Sequence, residues 1–156
     1  MKPVAVRTLI AAGAMLVLAA VNFAIEGKER VKAHGETVLL ELAPVDPRGL
    51  MQGDYMALRF SVTQNVSTSA GYKDERLPLT LIDHRVGRVT SPGDIANLHI
   101  RYRVRNGEIW IGTNAFFFEE GSANRYSGAR YGEFKVDPKS GEAVLVGLRD
   151  TQFQPL

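Results

Sequence analysis

Leu98-His99-Ile100-Arg101-Tyr102-Arg103-Val104-Arg105-Asn106-Gly107-Glu108-Ile109-Trp110-Ile111-Gly112 is the stretch that decides the fold. Leu98, Ile100, Tyr102 and Val104 alternate with His99, Arg101, Arg103 and Arg105. That period of two puts apolar side chains on one face of a strand and basic ones on the other. Asn106-Gly107 tolerates the two positive φ angles of a type I′ turn, so the chain reverses there and Glu108 to Gly112 returns as a paired strand.

The same punctuation extends in both directions. Thr37 to Leu42 reads as a first strand, with Tyr55 to Thr63 as its expected partner: Met56, Leu58, Phe60 and Val62 alternate there with Ala57, Arg59 and Ser61. Leu79 to Ile82 and Val86 to Thr90 flank Asp83-His84-Arg85 as a tight hairpin. Arg130 to Val136 and Glu142 to Leu148 form a last pair around Asp137-Pro138-Lys139-Ser140-Gly141, and Glu119 to Ser127 allows one short helix. Gln64 to Arg76 is polar and reads as an exposed loop. The fold class is mainly β. About eight strands in an antiparallel domain close as a small barrel or a two-layer sandwich, because an open sheet of that size leaves long unpaired edges.

The N-terminus is different. Thr8 to Ile25 is an 18-residue run without a charge, bracketed by Lys2 and Arg7 before it and by Glu26, Lys28, Glu29 and Arg30 after it. A spanning helix needs about 20 apolar residues, and the run also overlaps the length of a signal-peptide core. Small residues are badly placed for cleavage: a cut after Ala24 leaves Asn22 three positions back, and one after Ala20 leaves Leu18. The expectation is an uncleaved signal-anchor, in contact with the lipid bilayer through Thr8 to Ile25. The domains are then a cytoplasmic tail (1–7), a transmembrane anchor (8–25), a charged juxtamembrane stalk (26–36) and a β domain (37–156). The stalk continues the helix for two or three turns until Gly35 stops it.

The 156 residues carry 19 Lys and Arg against 17 Asp and Glu. Setting aside Lys2 and Arg7 leaves 17 of each sign from Glu26 onward, so the β domain lacks the surplus of cations that nucleic acid requires as a partner. The absence of cysteine excludes disulfides, thiolate metal sites and cysteine nucleophiles. His34, His84 and His99, spaced by 50 and 15 residues, suggest no metal, and no cofactor motif is present. The basic stripe of His99, Arg101, Arg103 and Arg105 reads as a solvated outer face, with anionic lipid or an acidic partner as the sharper alternative. Phe116-Phe117-Phe118 and Trp110 are expected in the core.

Asp46-Pro47-Arg48-Gly49 forces a turn, since Pro47 pushes Asp46 out of the helical region. Gly53-Asp54 follows as a strand entry, with Asp54 placed to satisfy free amides before Tyr55 begins the ladder. Gly53, Asp54, Tyr55 and Leu58 make the stretch resemble the signature of the GDYXXLXY family, a bacterial group of unassigned activity; Phe60 stands where the signature has tyrosine. The likeness extends to Phe117-Phe118-Glu119-Glu120-Gly121 and Ala129-Arg130-Tyr131-Gly132-Glu133. It implies an exported domain on the periplasmic side of the inner membrane, N-terminus inside, associated with a polytopic inner-membrane protein.

The candidate binding or motif residues are Asp46, Arg48, Gly53, Asp54, Tyr55 and Leu58, joined by Glu119, Glu120 or Arg130 at one rim. Asp and Arg side chains there bind a polar ligand or pair with each other. The plainer reading is a network of turns and ion pairs that fixes the first hairpin. No catalytic residue stands out: the serines lack a nucleophile setting, which leaves a Ser-Lys dyad of the signal-peptidase kind without support. Adjacent Glu119 and Glu120 on a strand would point to opposite faces. The expected function is a membrane-anchored, non-catalytic binding or scaffold domain. The alternatives are an envelope hydrolase using Asp46, Asp54 or Glu119 as acid or base, and a ligand-binding sensor.

Overall fold

The computed structural model describes residues 3–43, 51–52, 55–64, 76–105 and 108–156. Helix α1 (Pro3–His34) opens the chain. The strands follow in order: β1 (Glu36–Glu41), β2 (Met51–Gln52), β3 (Tyr55–Ala57), β4 (Arg76–Ile82), β5 (Val86–Val89), β6 (Leu98–Arg105), β7 (Glu108–Ile111), β8 (Ala115–Phe117), β9 (Tyr131–Val136) and β10 (Ala143–Arg149). One short helix, α2 (Ala123–Tyr126), lies between β8 and β9, inside the wider span that the sequence allows.

α1 is long and apolar enough to cross a membrane, and none of the described residues covers that part of it. Leu9, Met15 and Phe23 are 67, 71 and 80% exposed. By length and composition such a run matches the apolar core of a bilayer, as it also matches a signal sequence. The helix runs on through the charged segment to His34 and ends where Gly35 donates its N–H to the Val31 carbonyl at 2.7 Å.

Seven strands form one sheet in the order β10-β9-β1-β5-β4-β6-β7, and a smaller sheet has the order β2-β3-β8. The large sheet curls until its two ends nearly meet: Arg101 of β6 donates its N–H to the Gly141 carbonyl at 2.7 Å, in the connection that leads into β10. Beside it, Gly112 adopts φ +60° after β7, and a Cβ there would lie 3.0 Å from the Ala143 carbonyl. The domain is therefore a nearly closed barrel, rich in antiparallel pairs, with a single parallel contact between β1 and β5 at Leu39 and Val86. This settles the choice between barrel and sandwich.

Two of the expected hairpins are present in register. β6 and β7 pair from Tyr102 opposite Ile111 to Arg105 opposite Glu108, and β4 and β5 pair from Ile82 opposite Val86 to Leu79 opposite Val89. β9 and β10 supply the third, with a bulge between Leu145 and Gly147. The first strand is the correction. β1 pairs along its length with β9, from Glu36 opposite Val136 to Glu41 opposite Tyr131, while residues 55–63 meet the chain just past its end, through an isolated bridge between Leu42 and Phe60 and the Ala43 N–H donated to the Arg59 carbonyl at 2.8 Å.

The physical reason lies in β1 itself. Val38, Leu39 and Leu40 are all buried, so the strand is covered on both faces and belongs at the centre of a sheet, where hydrogen bonds run to both sides. Lys135 donates to the Thr37 hydroxyl at 2.9 Å across the β1–β9 pair, and Arg130 to Glu41 at 3.0 Å just beyond its end. Residues 55–63 keep the expected alternation in burial, with Met56, Leu58, Phe60 and Val62 inside. They reach it by another path: β3 ends at Ala57, and Ser61–Thr63 is a 3-10 turn. The barrel core gathers these side chains against Leu40, Leu79, Ile100, Ile111, Phe134 and Leu148.

Candidate functional site

The signature segment meets the rest of the domain through the small sheet. Tyr55 lies opposite Phe117, Met56 opposite Phe116 and Ala57 opposite Ala115. The Leu58 N–H continues the contact to the Asn114 carbonyl at 2.6 Å. Period-two alternation then sorts the side chains. Met56 and Leu58 point into the core at 3% exposure each, while Tyr55 is half-buried with its ring centroid 5.7 Å from that of Phe117.

Phe60, at the position where the signature has tyrosine, is a core residue. Its ring packs edge-on against Phe134, with centroids 5.2 Å apart at 70°, over Gly132, where a Cβ would fall 2.9 Å from its ring. A phenyl ring suits that apolar niche without a hydroxyl to satisfy.

The three phenylalanines divide. Phe116 and Phe118 are half-buried around Tyr126 of α2, at centroid distances of 5.1 and 5.3 Å. Phe117 is 73% exposed, which corrects the expectation that all three belong to the core. It sits on the outward side of a three-residue strand. Phe117, Phe118, Tyr126, Glu119, Ser122 and Arg125 line an open groove of about 480 Å³, with the Arg125 guanidinium 5.8 Å from the centre of the Tyr126 ring.

Glu119 and Glu120 follow β8 instead of lying within it, so strand alternation does not separate them, and both are exposed. Arg130 lies where β9 begins, paired to Glu41 with about two fifths of each side chain exposed. Asp46, Arg48, Gly53 and Asp54 lie outside the described residues. Of the candidates, the register therefore brings Tyr55 beside the segment leading to Glu119, and places Arg130 at the β1–β9 edge. The described part of the groove holds one carboxylate, one guanidinium and three aromatic rings. Such a surface suits docking of an amphipathic segment, since aromatic rings offer large contact area at small entropic cost.

His99, Arg101 and Arg103 are exposed on the outer face of β6. Trp110, expected in the core, is half-buried opposite Arg103. Among the described residues no three of His, Asp and Glu gather as metal ligands.

Several contacts escaped the sequence reading. Arg149 forks onto Glu133 with distances of 2.8 and 3.0 Å and gives a third bond to the Phe153 carbonyl at 2.7 Å. The hydrogen bonding to Glu133 raises the guanidinium pKa above its ordinary value, against the opposing effect of burial. Phe153, at φ +62°, stacks between Tyr131 at 4.9 Å and His84 at 4.3 Å and closes the C-terminus over the sheet. In the β9–β10 turn, the Asp137 carboxylate accepts the Lys139 and Ser140 N–H groups at 2.7 and 2.9 Å. These bonds, that of Ser140 first, hold its pKa below the usual carboxylate range. The turn was foreseeable from Asp-Pro followed by Ser-Gly; the Glu133–Arg149 fork was not, since the bulge sets its diagonal register.

A family model described as GDYXXLXY protein matches residues 17–148, most of the chain. No curated protein and no solved structure matches.

Proposed function

The chain belongs to the GDYXXLXY family, and from that premise we propose that it is a membrane-anchored, non-catalytic binding or scaffold domain. Its barrel stands on the extracytoplasmic, periplasmic side of the inner membrane and docks a polytopic membrane protein there. The observation that carries this reading is the join between anchor and barrel. α1 passes without a break from its apolar run into a segment seated on the domain, with Val31 5% exposed and Lys28 paired to Glu142 of the β9–β10 connection. At Gly35 a Cβ would lie 2.5 Å from the Val31 carbonyl and 3.0 Å from the Val136 nitrogen, so backbone passes against backbone.

A loose tether needs none of these contacts. A helix seated this way fixes the height of the barrel above the bilayer, which suits a domain that meets a partner at one level. With Lys2 and Arg7 before the span and Lys28, Arg30 and Lys32 after it, the flanking charges nearly balance, and the orientation proposed here is the one that the family resemblance implies. The aromatic groove beside Tyr55, with Phe117 exposed, is the docking face.

The test is co-purification in mild detergent. The full chain is expected to bring a polytopic membrane protein with it, Phe117→Ser to lose it, and replacement of Thr8 to Ile25 by an unrelated spanning helix to weaken it in part, since the tether mainly raises local concentration. A lone monomer after crosslinking in intact cells, with turnover of an envelope substrate by the purified protein, would transfer the assignment to a hydrolase using Asp46, Asp54 or Glu119.

A further inference from the structure

A second concavity lies where the helix leaves its apolar run. It has a volume of about 210 Å³ and is lined by Lys28 from α1, by Arg101 and Arg103 from β6, by Trp110 from β7, and by Thr113 and Glu142. This is small for a drug-sized ligand and suited to a single charged group. Three cations face one carboxylate, and Lys28 already pairs with that carboxylate. Arg101 and Arg103 are exposed, and neither forms an ion pair among the described residues. Their backbone is fixed, since Arg101 is held to the Gly141 carbonyl and Arg103 lies opposite Trp110.

The height of this pocket can be worked out from the helix. Lys28 is three residues past Ile25, and α1 is continuous there, so it stands about 4.5 Å beyond the apolar run at 1.5 Å per residue. The polar layer of each leaflet is about 5 to 7.5 Å thick, half the difference between a bilayer of about 40 to 45 Å and its core of about 30 Å. Lys28 therefore lies at the level of the lipid phosphates, and the side chains that share its pocket lie there too. Trp110 fits the same level, where indoles concentrate in membrane proteins.

We propose that Lys28, Arg101, Arg103 and Trp110 form a binding site for the phosphate headgroup of an anionic phospholipid in the leaflet on which the barrel rests. The guanidinium groups take the phosphate oxygens and the indole lies along the glycerol and the first methylenes, while the Thr113 hydroxyl at the rim stays bonded to the Ala115 carbonyl at 3.0 Å. The bound lipid fixes the rotation of the barrel about its helix and so the direction in which the aromatic groove faces. This proposal rests on the anchored reading above. Retention of every variant in membranes after alkaline carbonate washing keeps a failure of the lipid site distinct from a failure of the anchor.

Trp110 is the single tryptophan of the chain, so its fluorescence reports on the pocket directly. The full chain is reconstituted into nanodiscs of phosphatidylcholine with increasing phosphatidylglycerol, each lipid carrying a headgroup nitroxide in turn. Quenching of Trp110 is expected to be stronger for labelled phosphatidylglycerol than for labelled phosphatidylcholine at equal mole fraction. At about fivefold per basic residue at the bilayer surface, Arg101→Gln with Arg103→Gln lowers that preference about 25-fold. Arg88→Gln, an exposed charge change on β5 outside the pocket, is expected to leave it within about twofold, as screening weakens distant charges. Equal quenching by the two lipids, or equal losses from the Arg88 variant and the double variant, would overturn the proposal. So would saturation of the signal by inorganic phosphate in neutral detergent without a response to phosphatidylglycerol.

Discussion

Replacing Gly132 by alanine tests the packing that fixes the signature segment to the barrel. The ideal Cβ falls 2.9 Å from Phe60 Cε1, 3.2 Å from Phe134 Cε2 and 3.3 Å from Leu145 Cδ1. Relief by backbone movement is blocked on both sides, because Gly132 is paired to Leu40 of β1 and to Leu148 of β10. Relief by the rings is little easier, since Phe60 and Phe134 are 3 and 0% exposed and already lie edge to face. Overpacking of this kind costs about 1 to 3 kcal/mol. Alanine recovers about 0.4 to 1 kcal/mol by restricting the unfolded chain, which leaves a net loss of about 1.3 kcal/mol at the midpoints of the two ranges. With an m-value of about 2 kcal/mol per molar, the urea midpoint of the full chain in mild detergent falls by about 0.65 M. Gly147→Ala is the matched control: the nearest atom to its Cβ is Glu133 Oε2 at 3.9 Å, so stability is expected to hold or rise slightly. Adding Phe60→Leu to Gly132→Ala removes the clashing ring edge and is expected to show a favourable coupling of about 1 kcal/mol. Equal midpoints for Gly132→Ala and Gly147→Ala, or strict additivity with Phe60→Leu, would refute the packing described for Phe60.

Arg149→Ala leaves Glu133, with 16% of its side chain exposed, without its guanidinium and is expected to cost about 2 to 3 kcal/mol in urea denaturation, with Arg149→Lys losing less. The Asp137 carboxylate has a pKa below that of the unfolded chain, so its contribution to stability is full above the unfolded value near about 4 and is lost as pH falls through the lower folded value. Asp137→Ala is therefore expected to flatten the acid limb of the stability profile, followed by thermal melts between neutral pH and the acid transition. An unchanged acid limb would show that the turn amides do not hold this carboxylate.

The β hairpins were legible because their signals are local. The alternation over Leu98 to Arg105 and the Asp83-His84-Arg85 turn specify neighbours that lie a few residues apart, and their registers follow. The pairing of β1 with β9 joins residues roughly a hundred positions apart, and no local pattern encodes that choice. Its one sequence signal was the continuous apolar run Val38-Leu39-Leu40, which marks a central strand and so argues against a simple hairpin with residues 55–63. The candidate site was legible in the same uneven way. Leu58 and Phe60 followed the period into the core, whereas Phe117 did not, because a three-residue strand against β3 turns its middle and last rings to opposite faces. Trp110 and Lys28 came to line one pocket through the seating of the helix on the barrel, a tertiary arrangement without a sequence signature.

The most direct test of an anchored domain outside the cytoplasm uses the absence of cysteine in the chain. Gln152→Cys introduces one thiol at an exposed position on the C-terminal part of the barrel. Intact spheroplasts treated with a membrane-impermeant maleimide, followed by carbonate washing of the membranes, are expected to yield labelled protein that stays in the pellet. Labelling that requires permeabilised cells, or labelled protein released into the soluble fraction, would contradict the account.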